Sequence, residues 1–168
     1  MSGKMYLRNT PTALHLFEVN FECIKLDEKT TEKFHSIVAK LLFVSHRGRP
    51  DILVAIAFLT TRTSKEDQDD WKKLNRLMQY LNHTTGKVLT LSITSFNAIR
   101  WRVDASYATH NDMKSHTGAG MSMGRGLFYS KSSKQKFNSK ISTEAELIGA
   151  SDMTSQIIWT KMFLEATR

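Results

Sequence analysis

The stretch Ile99-Arg-Trp-Arg-Val-Asp-Ala-Ser106, "IRWRVDAS", decides how the second half of this chain folds. Ile99, Trp101 and Val103 alternate with Arg100, Arg102 and Asp104, the period of two that marks a half-buried strand. The strand ends on an aspartate followed by two of the smallest side chains. Asp-Ala-Ser serves equally as a polar exit from a sheet and as the seat of a working carboxylate. The second meaning requires another carboxylate to meet the first.

Working outward, "TGAGMSMG" and "LFYSKSSKQK" follow, and the glycines at 118, 120, 124 and 126 punctuate them into a hairpin. Upstream, "KVLTLSITS" at 87–95 alternates enough to predict a connecting strand. Ser142-Thr143 opens a long helix running toward Phe163. That helix offers Glu144, Glu146 and Asp152. At about 100° per residue its apolar stripe is Leu147, Ala150, Thr154, Ile157 and Ile158. Asp152 falls opposite this stripe, while Glu144 and Glu146 sit on its two borders, and geometry alone does not choose between them. A carboxylate on a strand end and another at a facing helix start form a natural seat for Mg²⁺, which wants hard oxygen ligands. Two such ions about 4 Å apart clamp the attacking and leaving oxygens of a phosphodiester. The competing reading is local: a capping box from Thr143 to Glu146, with Glu144 answering the helix dipole.

The first half reads as helices. Phe34, Ile37, Val38, Leu41 and Leu42 make one stripe, and "HRGRP" breaks it. Pro50 suits the first turn of a second helix to about Thr61, apolar all round and therefore buried. Ser64 is the expected N-cap of a third, with Trp71, Leu74, Leu77, Met78 and Leu81 as its stripe and Gly86 as its stop. Residues 1–30 show no periodicity and read as an irregular, partly disordered lead-in. The chain thus divides into a lead-in (1–30), a helical unit (31–86) and a strand-rich unit (87–168).

Composition narrows the partners. Of 168 residues, 24 are Lys or Arg and 16 Asp or Glu, a formal net charge of +8 that favours polyanions. The excess is concentrated at Lys114, Arg125, Lys131, Lys134, Lys136 and Lys140, where Asp112 is the only acid. Interleaving with Tyr129 and Phe137 points these side chains toward nucleic acid. Arg100 and Arg102 are further candidates for phosphate contact. The lone Cys23 makes no internal disulfide, and "MSGKMYLRNT" has no apolar leader. An intracellular chain, cytoplasmic or nuclear and not secreted, is expected. The longest apolar run, 52–59, is too short to span a bilayer, so no membrane partner is expected. His35, His46, His83, His110 and His116 have no metal-ligand spacing and read as structural or surface residues.

"WRVDAS", "KSHTG" at 114–118, "SSKQK" at 132–136 and "STEAEL" at 142–147, in that order, resemble the ribonuclease H region of Copia-type retrotransposon polyproteins. Upstream, "FHSIVAKLLFVSHRGRPDILVAIAFLTTR" and "WKKLNRLMQYLNHTTG" resemble the end of the same elements' reverse transcriptase, including Arg-Pro-Asp at 49–51. The resemblance implies an α+β chain: an N-terminal helical unit, then a truncated ribonuclease H-like three-stranded antiparallel sheet with a packed helix. It implies two-metal hydrolysis of RNA in an RNA–DNA hybrid with Mg²⁺ or Mn²⁺, Asp104 and Glu146 matching the family's first catalytic aspartate and its catalytic glutamate. The family continues into a further strand with another aspartate, and the sequence given ends at Arg168, so hydrolysis by this chain alone is not expected. The alternatives are a non-catalytic basic nucleic-acid-binding module and an inert translated relic. Without that further strand the "IRWRV" edge is bare, which invites self-association. A second apolar set, Ile148, Trp159 and Phe163, would then be exposed.

Overall fold

A computed structural model describes residues 9–167. Among them the elements are α1 (Glu28–Arg47), a single 3₁₀ turn (Pro50–Ile52), α2 (Leu53–Thr60), α3 (Gln68–His83), β1 (Arg100–Ser106), β2 (His116–Ser122), β3 (Tyr129–Lys134) and α4 (Ser142–Ala166). The chain divides after Leu89 into two compact units. No helix among the described residues is long and apolar enough to cross a membrane.

The helical unit buries one apolar cluster. Phe34, Val38 and Leu41 of α1 meet Ile56, Phe58 and Leu59 of α2 and Leu74, Leu77 and Tyr80 of α3. Six of the eight α2 residues are buried, as an all-apolar helix requires. Polar side chains then fix the joints. Arg49 grips Asp51 in a two-point ion pair at 2.9 Å, and the Tyr80 hydroxyl donates to the same carboxylate at 2.6 Å. Arg49 also donates to the Thr84 carbonyl just past α3, so Arg-Pro-Asp at 49–51 ties the turn before α2 to the end of α3. The Arg49 guanidinium holds the Asp51 carboxyl below its ordinary value.

Two boundaries of α3 differ from the sequence expectation. Its N-cap is Asp67, not Ser64: Asp67 accepts from the backbone of Asp69 and Asp70 while Asp70 accepts from that of Asp67. A carboxylate that closes a reciprocal box and also meets buried Arg62 outcompetes an upstream serine. The helix ends at His83, before Gly86, with the Thr84 N–H bonded back to Tyr80 and Leu81. The lead-in is irregular, and its residues 1–8 lie outside those described. From residue 9 onward parts of it touch the helical unit. Leu16 is buried in the helical core and Phe17 meets Phe58 edge-on at 5.6 Å. The Gln68 N–H donates to the Ile24 carbonyl.

In the second unit β1, β2 and β3 form an antiparallel sheet in that order, with β1 at an edge. Residues 87–95 are not a strand. They run as an extended loop whose Ser92 and Thr94 N–H groups donate to Arg125 and Met123. A Cβ at Gly124 would lie 2.5 Å from the Ser92 carbonyl, so only glycine admits this approach. Gly124 and Gly126 lie in the hairpin turn as expected, whereas Gly118 and Gly120 lie within β2.

The face α4 buries is not the one its apolar stripe suggests. Ala145, Gly149, Met153 and Thr160 are buried, while Leu147 and Ile158 are 67% and 52% exposed. The reason is close approach. A Cβ at Gly149 would stand 3.3 Å from the Thr117 side chain and 3.6 Å from the Ala105 Cβ, so small residues, not large ones, let this helix settle on β1 and β2. Asp152 and Glu146 flank this row on opposite sides, each about 60° from its centre; the wheel argument against Asp152 falls with the stripe it assumed. Trp159 and Phe163 stack at 5.3 Å and are exposed, as the second apolar set anticipates.

Arg62 is the only cation ion-paired to Asp67 and Asp70 among the described residues, and all three are buried. Arg62→Leu is expected to leave two uncompensated buried carboxylates and lower the stability of the helical unit by about 3–5 kcal/mol. Urea denaturation against Lys65→Leu, an exposed control, measures it.

Candidate functional site on the open face of the sheet

Strand parity sorts the sheet into two faces. Trp101, Val103 and Ala105 share a side with Ala119, Thr117, Lys131 and Ser133, and this is the side α4 covers through Gly149. Arg100, Arg102, Asp104 and Ser106 occupy the other side and are exposed. There the cross-strand rows run Arg102–Gly120–Ser130, Asp104–Gly118–Ser132 and Ser106–His116–Lys134. Leu127 covers Gly120, but nothing lies within 4 Å of a Cβ placed at Gly118. Asp104 therefore stands beside an open, side-chain-free patch.

Asp104 accepts a hydrogen bond from the Ala105 N–H at 3.0 Å, and no Lys or Arg among the described residues is ion-paired to it. Glu146 lies in the first turns of α4, exposed and equally without an ion-pair partner among the described residues. The Thr143–Glu146 capping box does not form, because the N-cap is Ile141 and no side chain caps the helix. Glu144 instead accepts from the Lys140 N–H at 2.5 Å. Glu144 is thereby engaged with the backbone just before the helix, whereas Glu146 takes no part in its start. Asp104 adjoins Ala105, and Glu146 lies one helical turn before Gly149. Asp104 projects on the sheet face away from α4, the helix that carries Glu146, so strand parity does not turn the two carboxylates toward each other.

The basic residues do not form one surface. Lys134 pairs with Asp112 at 2.7 Å, and this ammonium outweighs the burial that would otherwise raise the Asp112 carboxyl, holding it below its ordinary value. Lys131 lies on the α4 side of β3, half-buried like Lys114. Arg125, Lys136 and Lys140 are exposed on the connections. Of the two aromatics, Tyr129 packs on Trp101 with rings 5.5 Å apart, while Phe137 is open to solvent.

Sequence reasoning missed the most organised polar cluster of this unit. His110 Nε2 and His116 Nδ1 lie 3.0 Å apart, and His116 Nε2 lies 2.6 Å from the Ser132 hydroxyl, all under the loop that follows β1. Burial lowers both imidazoles to about 4; for His110 the proximity of His116 and Lys134 adds to it. Buried Gln135 was missed as well. Its side-chain amide donates to Thr117 and to the Ala145 carbonyl, and its own N–H donates to Ser115, so it joins β2, β3 and α4. The one available signal for the histidines was their closeness in sequence, His110 midway along the connection after β1 and His116 opening β2; nothing in their spacing implied contact.

No family model matches the chain, and no solved structure matches it. Curated relatives do. The retrovirus-related Pol polyprotein from transposon TNT 1-94 of Nicotiana tabacum is 29% identical over 162 residues, 94% of this chain and 12% of that polyprotein. The putative transposon Ty5-1 protein of Saccharomyces cerevisiae is 31% identical over 140 residues, 82% of this chain and 45% of that protein. The chain thus spans less than half the length of these two relatives. Secreted RxLR effector protein 161 of Plasmopara viticola is 24% identical over 134 residues, 79% of this chain and 94% of that protein.

The histidine pair sets a pH window. Both groups bind protons more readily unfolded, near pH 6.5, than folded, near pH 4, so the stability they permit is full above 6.5 and is lost as pH falls toward 4. Thermal melts of the chain should drop between pH 7 and pH 5. His110→Gln combined with His116→Gln should flatten that drop, and an unchanged slope would refute the assignment.

Proposed function

We propose, from the homology of this chain to Copia-type retrotransposon polyproteins, that it is a fragment of such an element's reverse transcriptase and ribonuclease H. On this reading the helices up to His83 come from the end of the reverse transcriptase, and the sheet with α4 is a ribonuclease H-like unit. The ancestral reaction is hydrolysis of the RNA strand of an RNA–DNA hybrid. The observation that carries the reading is similarity to a Pol polyprotein over 94% of the chain, supported by the order of Asp104 on β1 and Glu146 at the start of α4.

The donor set suits a hard divalent cation in kind but not in number. Asp104 and Glu146 supply carboxylate oxygens free of ion pairs, yet no group of three or more His, Cys, Asp or Glu among the described residues can hold a metal. Two-metal hydrolysis needs carboxylates shared between a pair of ions, and two residues are too few. We therefore assign this chain no hydrolytic step by itself. What its own residues retain is affinity for polyanions. Arg125, Lys136 and Lys140 present exposed cations, Arg100 and Arg102 add two on the open sheet face, and Phe137 offers a surface for a base. Phosphate contact of this kind binds without reading sequence.

A labelled RNA–DNA hybrid tests both halves. With Mg²⁺ or Mn²⁺, neither the chain nor Asp104→Asn should cleave above background; robust cleavage abolished in the variant would show a complete active centre. Anisotropy should show binding that weakens on the order of 100-fold between 50 and 200 mM salt, for about four phosphate contacts. Lys136→Gln with Lys140→Gln should lower the salt slope by about two. Binding indifferent to salt would remove the nucleic-acid reading.

A further inference from the structure

We propose that Ser132 is an activated nucleophile, with His116 as its general base and His110 orienting His116, and that it takes the acyl group of a small, unhindered carboxylic ester. The inference rests on this hydrogen-bonded network and does not depend on the nucleic-acid reading.

Strand pairing builds the network. Gly118 stands opposite Ser132 and Lys134 opposite His116, so Ser132 and His116 are diagonal neighbours on one face of β2 and β3. The Ser132 hydroxyl lies 2.6 Å from His116 Nε2, and His116 Nδ1 lies 3.0 Å from His110 Nε2. Nucleophile and orienting group thus meet opposite nitrogens of one imidazole, the arrangement that nucleophilic catalysis uses. Both histidines are buried, whereas Ser132 is half-buried. Gly118 beside it puts no side chain in the way of a carbonyl approaching the hydroxyl. The connection 107–115 delivers His110 under strain. Ala108 and Met113 take left-handed φ values of 49° and 60°, which residues with a Cβ seldom adopt. Hydrogen bonds hold them there: the Ala108 N–H donates to the Ser115 hydroxyl at 3.1 Å and the Met113 N–H to the His110 carbonyl at 2.8 Å.

Burial keeps both imidazoles neutral at pH 7, and the charges acting on His110, Lys134 and Asp112, are already joined to each other. With its proton on Nδ1, donated to His110 Nε2, His116 keeps a lone pair on Nε2 for the Ser132 proton. Ser132 Oγ then bonds to the carbonyl carbon of the ester as its proton passes to His116 Nε2. That proton goes on to the departing alkoxide as the original C–O bond breaks, which leaves the acyl group esterified to Oγ. Water attacks the same carbonyl and gives a proton to His116. The carboxylic acid leaves as that proton returns to Ser132. The burial that keeps His116 neutral also disfavours the imidazolium formed in each step, so turnover is slow. With a good leaving group acylation outruns hydrolysis, and acyl-Ser132 accumulates.

Nitrophenyl acetate, added to the full chain at neutral pH, tests this through nitrophenolate release and through peptide mass spectrometry of the acetylated protein. A stoichiometric burst is expected, with the acetyl on Ser132 and removable by hydroxylamine, as an ester is and a lysine amide is not. Ser132→Ala should abolish the burst. His116→Gln should slow acetylation of Ser132 at least about 100-fold, the lower end of what a general base contributes. His110 is a positioning residue, and its two variants should differ. His110→Gln, whose amide oxygen still accepts from Nδ1–H, should keep most of the rate, whereas His110→Leu should lose at least about tenfold. Ser130, half-buried on the same face of β3, is the internal control. Acetyl confined to lysines, or found on Ser130 as readily as on Ser132, overturns the proposal, as does a rate indifferent to His116→Gln. Equal rates in the two His110 variants overturn its positioning role. The comparison of Ser132 with Ser130 is made in the parent chain, so it decides even where a histidine variant fails to fold.

Discussion

Everything in the strand-rich unit hangs on how closely α4 can approach the sheet. A Cβ added at Gly149 would already press on the Thr117 side chain at 3.3 Å, so a bulky residue there would hold the helix off. Ala145 one turn earlier and Met153 one turn later extend the same row, and Gln135 locks its start by donating to the Ala145 carbonyl. The row is short on hydrophobic area and relies on tight fit; Gln135 spends its amide N–H groups there while its buried side-chain oxygen finds no partner among the described residues.

The opposite face of the sheet is unusually bare. Glycines 118 and 120 sit where side chains would otherwise shield β2, the loop with His110 covers one end, and Leu127 covers the other. Between them Asp104 faces solvent with arginines two and four residues upstream on the same side.

The helical unit is governed by different physics. Its core is ordinary aliphatic and aromatic packing, but its joints are buried or half-buried ions: Arg49 with Asp51, and Arg62 with Asp67 and Asp70. Such pairs add little net stability when intact and cost much when broken. They specify where one helix stops and the next begins, which a smooth apolar surface leaves loose.

Much of this was legible in the sequence because it is local. Period two in "IRWRVDAS", the all-apolar run at 52–59, the stripe from Phe34 to Leu42 and the long final helix follow from side-chain alternation that each segment carries within itself. The order of motifs likewise pointed to Copia-type elements. The tertiary structure decided what depends on distance between segments. It chose Ala145, Gly149 and Met153 over the more apolar Leu147 and Ile158, because hydropathy counts surface while packing rewards fit. It engaged Glu144 with the backbone just before α4 and kept Glu146 out of the helix start, and it joined His110 to His116 across a loop. It also reduced 87–95 to a loop: only the Ser92 and Thr94 N–H groups bond the hairpin, while the Lys87 N–H turns back to Thr84, too sparse a set to make a ladder.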